Sequence, residues 1–222
     1  MIPNGSKATI LTLLLSYFFA IYLRFSKSRI SNIIGILYLL PRFIPSLVAV
    51  YAIKLVISDS GFLNRLSLLL PESNALYNIK PGILYNKNGI ILVNIWFNIP
   101  FSTMIISASL SNIPNSIIES ARDVGAKPFH VFYKMILPLS IRDTMIAATF
   151  LFMSNISAFT ISYIIGPNYP LMMGVFLRQE FSNHNYERAA ALSVIIFLFS
   201  FVSAFVYLYT NLKDKGWEQD VF

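Results

Sequence analysis

The sequence predicts an all-α membrane protein with about five transmembrane helices, and three observations support this prediction. Of the 222 residues, 56% are hydrophobic and 15% are aromatic, with a mean hydropathy of +0.64, well above the average of soluble domains. Apolar stretches recur at the length of about 20 residues that a bilayer core of roughly 30 Å requires. The net charge of +7 is scattered between these stretches and forms no basic face, which fits membrane topology and not nucleic-acid binding.

The five stretches define the expected order of the membrane core. Their bounds are 8–25, 31–57, 89–110, 141–165 and 189–212. The second is long enough to tilt or kink, and Pro41 and Pro45 mark the place where its helix would bend. A polar loop bearing glycine, proline and asparagine is expected between the second stretch and the third.

The basic residues predict the orientation of these spans, because positively charged loops are retained in the cytoplasm. Nine lysines and arginines lie near the span ends on the side of residues 119–138, and six lie on the opposite side. We therefore expect Met1 outside and Phe222 inside. The chain is then a single membrane domain over 1–222, with its core at 8–212, a cytoplasmic loop at 112–140 and a cytoplasmic tail at 213–222.

One stretch, called here the polar segment, runs from Glu119 to Pro138 and interrupts the apolar pattern. It places five formal charges and a histidine within a chain that is only 12% charged. Its first part is typical of a short helix that stops at Gly125, because glycine adopts the left-handed conformation that ends helices. Pro128 suits the first turn of a second short helix, which is expected to end near Pro138.

Both short helices have apolar residues at helical spacing. The expected faces are Ile117, Ala121 and Val124 on the first, and Phe129, Phe132, Tyr133 and Ile136 on the second. Such helices either lie on the membrane surface or enter a groove on another protein, and periodicity alone leaves both interpretations open.

The spacing within the polar segment resembles the EAA loop of ABC-importer permeases, which follows the pattern E-A-A-x3-G-x9-I-x-L-P. The matching residues are Glu119, Ser120, Ala121, Gly125, Met135, Leu137 and Pro138. Ser120 replaces an alanine of the pattern and Met135 replaces its isoleucine, both with side chains of similar size.

The resemblance to these permeases covers nearly all of residues 8–212. LPRFIPSLVAVYA at 40–52, GFLN at 61–64 and NIPFSTMIISASLSNIPNSIIESARDVGA at 98–126 resemble successive parts of the family pattern. The order A-R-D-V-G-A at 121–126 is more similar to the permeases for polyamines, ferric iron or phosphonates than to those for sugars.

The resemblance implies a multi-pass subunit of the bacterial inner membrane that works with several partners. These are two cytoplasmic ABC ATPase subunits, a second permease that is identical or related, an external solute-binding protein and the surrounding lipid, with no nucleic acid. The ATPase would dock on Glu119, Ser120, Ala121, Gly125, Leu137 and Pro138. Ala121 would leave room for a close approach, and Gly125 would set the angle between the two short helices.

Polar side chains inside the spans are candidates for a solute path. Asn94 and Asn98 share a face of the third stretch, and Asn155 and Thr160 lie in the fourth. Hydrogen bonding between helices explains them equally well, because polar groups also hold spans together. Asp143, at the start of the fourth stretch, is the only acidic residue of the predicted spans, so the middle of the path has no obvious carboxylate, which counts mildly against a polyamine as the solute.

Arg42 and Lys54 fall inside the second apolar stretch, where a central charge is costly. Charged residues inside spans are often functional, but the expectation here is that these two long side chains reach the inner and the outer interface, respectively.

The sequence offers no basis for an enzymatic activity. It has no cysteine and only two histidines, and no serine, histidine and acid stand at a plausible spacing for catalysis. The GSK triplet at 5–7 lacks the rest of a phosphate-binding loop, so ATP is expected to bind the partner subunit and no cofactor to bind this chain.

Two other interpretations of the chain remain. It could be a membrane protein that anchors or assembles other factors without transport, or an inactive and truncated permease. Family members usually begin inside with one more span, so we also expect Met1 to be an internal methionine of a longer protein.

Overall fold

The computed structural model describes residues 2–26, 28–156, 159–167 and 171–218, and every regular element in this part of the chain is a helix. This confirms the all-α fold class. The helices, in chain order, are α1 (Ile2–Phe25), α2 (Arg29–Leu37), α3 (Ser46–Ile57), α4 (Phe62–Ser67), α5 (Lys87–Ser111), α6 (Asn115–Asp123), α7 (Pro128–Val131), α8 (Leu137–Ile156), α9 (Phe159–Ile165), α10 (Met173–Ser182) and α11 (Tyr186–Glu218).

Four helical segments of the described part are long and apolar enough to cross a membrane. They are Gly5–Phe25, Ser46–Ser67, Lys87–Ser111 and Pro128–Asn155. The first and third agree with the expected stretches 8–25 and 89–110 to within a few residues. The fifth stretch, 189–212, is helical within α11, which continues into the expected tail; residues 219–222 of that tail lie outside the described residues.

The second stretch differs from the expected single span at 31–57. A 3₁₀ turn at Leu40–Arg42 separates α2 from α3, and Pro45 is the N-cap of α3 with a ψ of 131°. Proline donates no backbone hydrogen bond and disfavours a helical conformation in the residue before it, so two prolines four residues apart break the helix instead of bending it. The apolar crossing begins at Ser46 and extends through α4 into the expected loop.

Part of that loop folds back onto α4 through the side chains of the GFLN region. The Asn64 amide donates to Asn78 Oδ1 at 2.9 Å and to the carbonyl oxygen of Ile79 at 2.9 Å. The backbone N–H of Ile79 donates to Ser67 Oγ at 2.9 Å. These contacts fix the loop on the C-terminal part of α4.

The sequence predicts that the second short helix of the polar segment ends near Pro138, but in the structure this helix does not end there. α7 passes through a π turn at Phe132–Ile136 directly into α8. The backbone N–H of Leu137 donates to the carbonyl oxygen of Phe132, five residues earlier. This wider turn accommodates the ring of Pro138, which would clash with the preceding turn of a regular α-helix.

The longest shared packing surface in the bundle joins α1 and α5. Small residues recur at every fourth position of α1, and Ala8, Thr12, Ser16 and Ala20 are all almost fully buried. Their size lets the two backbones approach closely, as is usual for helix pairs in membranes. Ser16 also forms a hydrogen bond with Ser102 of α5.

The N-terminal end of α5 is held against α9 by a close backbone approach. The backbone N–H of Tyr85 donates to the carbonyl oxygen of Ile165 at 2.8 Å, and the side chain of Asn86 caps α5 by accepting from Gly89. A Cβ atom on Gly89 would lie 2.3 Å from the carbonyl oxygen of Ile83 and 3.1 Å from Cγ2 of Ile165. The position therefore has no room for a side chain.

We expect Gly89→Ala to destabilise the protein by about 1–3 kcal/mol, because the added methyl group meets rigid backbone. The measurement is the midpoint temperature for loss of folded protein in a mild detergent. Gly35→Ala is the matched control. The new Cβ would make an ordinary contact of 3.6 Å with Leu23, and the substitution replaces a glycine that disfavours the helix. Equal midpoints for the two variants would contradict the prediction.

Candidate functional site

The first helix of the polar segment, α6, is fixed to the membrane core by its inner face. Ile118 is 4% exposed and Ala121 is 6% exposed, and both pack in a cluster with Leu110 and Ile113. The expected apolar face was wrong in part: Val124 is 85% exposed. Ile117, on the same side of the helix, is exposed as well, so the face of α6 that meets the core is turned from the expected side towards Ile118.

Gly125 ends α6 as the sequence predicts. Its φ is +82°, the Gly125 N–H donates to the carbonyl oxygen of Arg122 at 2.8 Å, and the Ala126 N–H donates to that of Ala121 at 3.0 Å. This pair of bonds is a Schellman motif, and Ala126 packs against the same apolar cluster as Ala121. Only two residues then separate Gly125 from Pro128, the first residue of α7, so the segment turns sharply.

The tip of the segment carries exposed aromatic side chains. Phe129 is 77% exposed and stacks on Tyr133, with ring centroids 6.5 Å apart and planes 4° apart. Phe132 and Ile136, which were expected on the same face, instead point into the apolar cluster. The π turn changes the angle between successive residues, so the four side chains divide between two faces.

The six predicted docking residues do not form one continuous patch. Glu119, Ser120, Gly125 and Pro138 are exposed, Leu137 is half-buried, and Ala121 makes its close approach to the chain's own core. The Ser120 hydroxyl donates to the carbonyl oxygen of Ser116 at 2.8 Å. Glu119 lines a groove with Arg24 and Arg122, whereas Leu137 and Pro138 line a separate groove with Tyr133.

Arg24 holds the start of this region, a role that the sequence did not indicate. Its guanidinium Nη2 donates to the carbonyl oxygen of Ile113 at 2.6 Å and to Asn115 Oδ1 at 3.2 Å. The last residues of α1 therefore fasten the connection between α5 and α6. In the sequence Arg24 was only one of several basic residues at a span end, and nothing distinguished it from the others.

The predicted path residues surround a cavity of about 420 Å³ within the membrane core. Three of them, Asn94, Asn98 and Thr160, line it directly. The other described lining residues are Arg42, Ser46, Phe97, Ser154, Phe159 and Ile161. The cavity thus lies between the turn before α3 and the helices α5, α8 and α9.

Asn155, the fourth predicted path residue, lies behind the cavity wall and joins three helices. Its Oδ1 accepts from the Asn98 amide at 3.1 Å, and its own amide donates to Thr9 Oγ1 at 3.0 Å. Asn155 is only 4% exposed. Asn94 and Thr160 therefore face the cavity, Asn155 connects helices, and Asn98 does both, while the use of this cavity as a solute path stays a prediction.

Arg42, which was expected to extend to the inner interface, points towards α5. It lines the cavity, and its guanidinium carbon lies 5.4 Å from the ring centroid of Phe101 on α5. Lys54 lies over the ring of Tyr85, with Nζ 5.4 Å from the centroid. The break at Pro41 and Pro45 accounts for Arg42, because it turns the side chain towards α5.

Comparisons with known proteins agree with this architecture. Residues 12–215 match the model of a family described as "Binding-protein-dependent transport system inner membrane component". The spermidine/putrescine transport system permease protein PotB of Escherichia coli (strain K12) is 24% identical over 201 residues, which are 90% of this chain and 72% of the relative. The inner membrane ABC transporter permease protein YdcU of the same strain is 27% identical over 207 residues, 89% of this chain and 66% of the relative.

Solved structures show the same fold. A bacterial ABC transporter involved in import of the acidic polysaccharide alginate matches with a TM-score of 0.73 at 16% identity, covering 96% of this chain and 77% of that one. The MetNI methionine ABC transporter in an inward-facing conformation matches with a TM-score of 0.55 at 16% identity, covering 95% and 96%. The resemblance to ABC-importer permeases inferred from the sequence is confirmed, and the relatives include polyamine permeases, one of the three classes that the sequence indicated.

We expect Asn155→Ala to destabilise the bundle by about 1–3 kcal/mol, because the buried Asn98 amide and Thr9 hydroxyl each lose a partner. Thermal unfolding of the detergent-purified protein measures the effect. Ser154→Ala is the control: its side chain is an exposed neighbour on the same helix and lines the cavity. A midpoint for Asn155→Ala no lower than that of the control would show that Asn155 does not hold the helices together.

Proposed function

The chain belongs to the family of binding-protein-dependent transport system inner membrane components, and from this premise we propose how it works as the permease subunit of an ABC importer. The spans form the solute path, and the polar segment couples that path to a separate ATPase. One observation carries the proposal: the polar segment is anchored by Ile118 and Ala121 while Glu119, Val124 and Phe129 stay exposed. Such a fixed, projecting tip is suited to entering a cleft on another protein.

The continuous helix from Pro128 to Asn155 gives the tip a mechanical connection to the cavity. A displacement of Phe129 by the ATPase would move α7, the π turn and α8 together, because no loop interrupts them. At its far end α8 carries Ser154, which lines the cavity, and Asn155, which contacts α1 and α5. Rigid-body movement of α8 would therefore change the shape of the path.

The proposed partners are those that the family membership implies. Two ATPase subunits bind and hydrolyse ATP, and this chain takes no catalytic part. A second permease, identical or related, completes the path, and an external binding protein delivers the solute. The outer region 164–188 is a suitable surface for that protein; within its described part, Arg178 lies over the Tyr163 ring at 4.6 Å and fixes α10 against α9.

The solute classes proposed for this path are polyamine, ferric iron and phosphonate. The relatives named as spermidine/putrescine permeases support the first, and the order A-R-D-V-G-A supports the group as a whole. The external binding protein would select among related solutes before they reach the membrane.

We expect Glu119→Arg to lower the amount of ATPase that co-purifies with the tagged full-length chain by at least about tenfold. The reason is that the introduced arginine would repel the basic group or helix N-terminus of the ATPase that Glu119 is expected to contact. The measurement is quantitative mass spectrometry after pull-down in mild detergent. Solute uptake by the same cells should fall with it, while the amount of the chain in the membrane stays constant.

Glu72→Arg is the matched control, since it is the same charge reversal at an exposed residue of the loop that follows α4. It should retain the ATPase. Undiminished ATPase binding and solute uptake with Glu119→Arg would contradict the docking proposal. An abundant native chain that brings down no ATPase at all would favour an anchoring role instead.

A further inference from the structure

We propose that the solute accepted by the cavity carries an anionic group, and that Arg42 binds this group. The inference rests on the proposed importer function and names the solute class for the same path. It is drawn from the position of Arg42, from the other groups around the cavity, and from the behaviour of charges in a medium of low dielectric constant.

Arg42 lies deep in the membrane core. The helix α5 is long and apolar enough to cross the membrane between Lys87 and Ser111, and the Arg42 guanidinium lies 5.4 Å from the ring of Phe101, near the middle of that span. Phe101, the ring beneath the guanidinium, is ten residues from the last residue of α5. A charge at this depth is costly, and such residues usually face a water-filled cavity and serve function.

The described residues around the cavity offer Arg42 no negative partner. Arg42 is the charged group among them; the others are apolar, hydroxyl-bearing or amide-bearing. Hydroxyl and amide groups both donate and accept hydrogen bonds, so Asn94, Ser154 and Thr160 suit a solute of either charge. Among the described residues, Arg42 therefore sets the sign of the electric charge that lines the cavity.

This sign selects between solutes. A guanidinium attracts an anion and repels a cation more strongly beside protein walls of low dielectric constant than in bulk water, and its planar donors match the paired oxygens of a carboxylate or phosphonate. A polyamine, with several positive charges, would cross this cavity against repulsion. Among the three proposed classes, the phosphonate type fits, and other solutes with carboxylate or phosphate groups share its chemistry.

The absence of cysteine from the sequence allows a direct test with charged thiol reagents. Ser154→Cys introduces a single thiol into the cavity lining. The full chain, purified with its partner subunits in lipid nanodiscs, is treated with negatively charged methanethiosulfonate ethylsulfonate or with its positively charged trimethylammonium analogue. Intact mass of this chain gives the two modification rates and their anion-to-cation ratio.

We expect Arg42→Gln to lower this ratio by at least about tenfold, because the charge that favours the anionic reagent is removed. Arg42→Lys keeps the charge and should keep a high ratio. With the thiol placed instead by Ser73→Cys, in the loop after α4, Arg42→Gln should leave the ratio unchanged.

A ratio that does not respond to Arg42→Gln overturns the proposal, since a group from the partner permease then neutralises Arg42. A ratio that falls equally with Arg42→Lys overturns it as well, because charge is then not the cause. Neither result touches the importer function, which is judged separately by the co-purification of the ATPase.

Discussion

The close packing of α1 against α5 is the constraint on which the other parts of the structure depend. Within lipid, apolar side chains gain little from leaving the solvent, so helices associate through fit and hydrogen bonds. Thr12 of α1 and Thr103 of α5 are buried with hydroxyl groups that have no hydrogen-bond partner in the described part of the chain, so their contribution is small size. The hydrogen bond between Ser16 and Ser102 then fixes the alignment of the two helices.

The polar segment and the cavity are both held in place by α1 and α5. At one end, Arg24 of α1 holds the chain that leaves α5, and this fixes where α6 begins. At the other end, Thr9 of α1 and Asn98 of α5 bind Asn155 of α8 from two sides. The wall of the cavity is therefore built from the same hydrogen bonds that hold the helices. A movement of α8 that opens the path must break or replace them, which links the solute path to the stability of the bundle.

Sequence reasoning predicted the features that local chemistry determines. The bounds of α5, the stop at Gly125 and the start at Pro128 follow from apolar length, left-handed glycine and proline at a first turn. It failed where the outcome depends on several residues together. Pro41 and Pro45 together broke the helix of the second stretch, whereas a single proline would only have bent it. Pro138 alone predicts the end of a helix, but the π turn before it lets the helix continue. The inward role of Ile118 depends on Leu110 and Ile113 lying beside it, which periodicity cannot show.

The placement of Arg42 depends both on local chemistry, at the two prolines, and on residues that other helices bring beside it. The helix break at Pro41 and Pro45 leaves backbone groups that regular helix would satisfy, and membranes tolerate such backbone only beside protein or a water-filled cavity. The break thus requires a polar space next to it, and α5 supplies that space with Asn94 and Asn98. A guanidinium in this position faces the cavity and not lipid, so its cost falls while its field still acts on anything that enters. The feature that prevents a continuous second span is therefore the one that gives the path its charge.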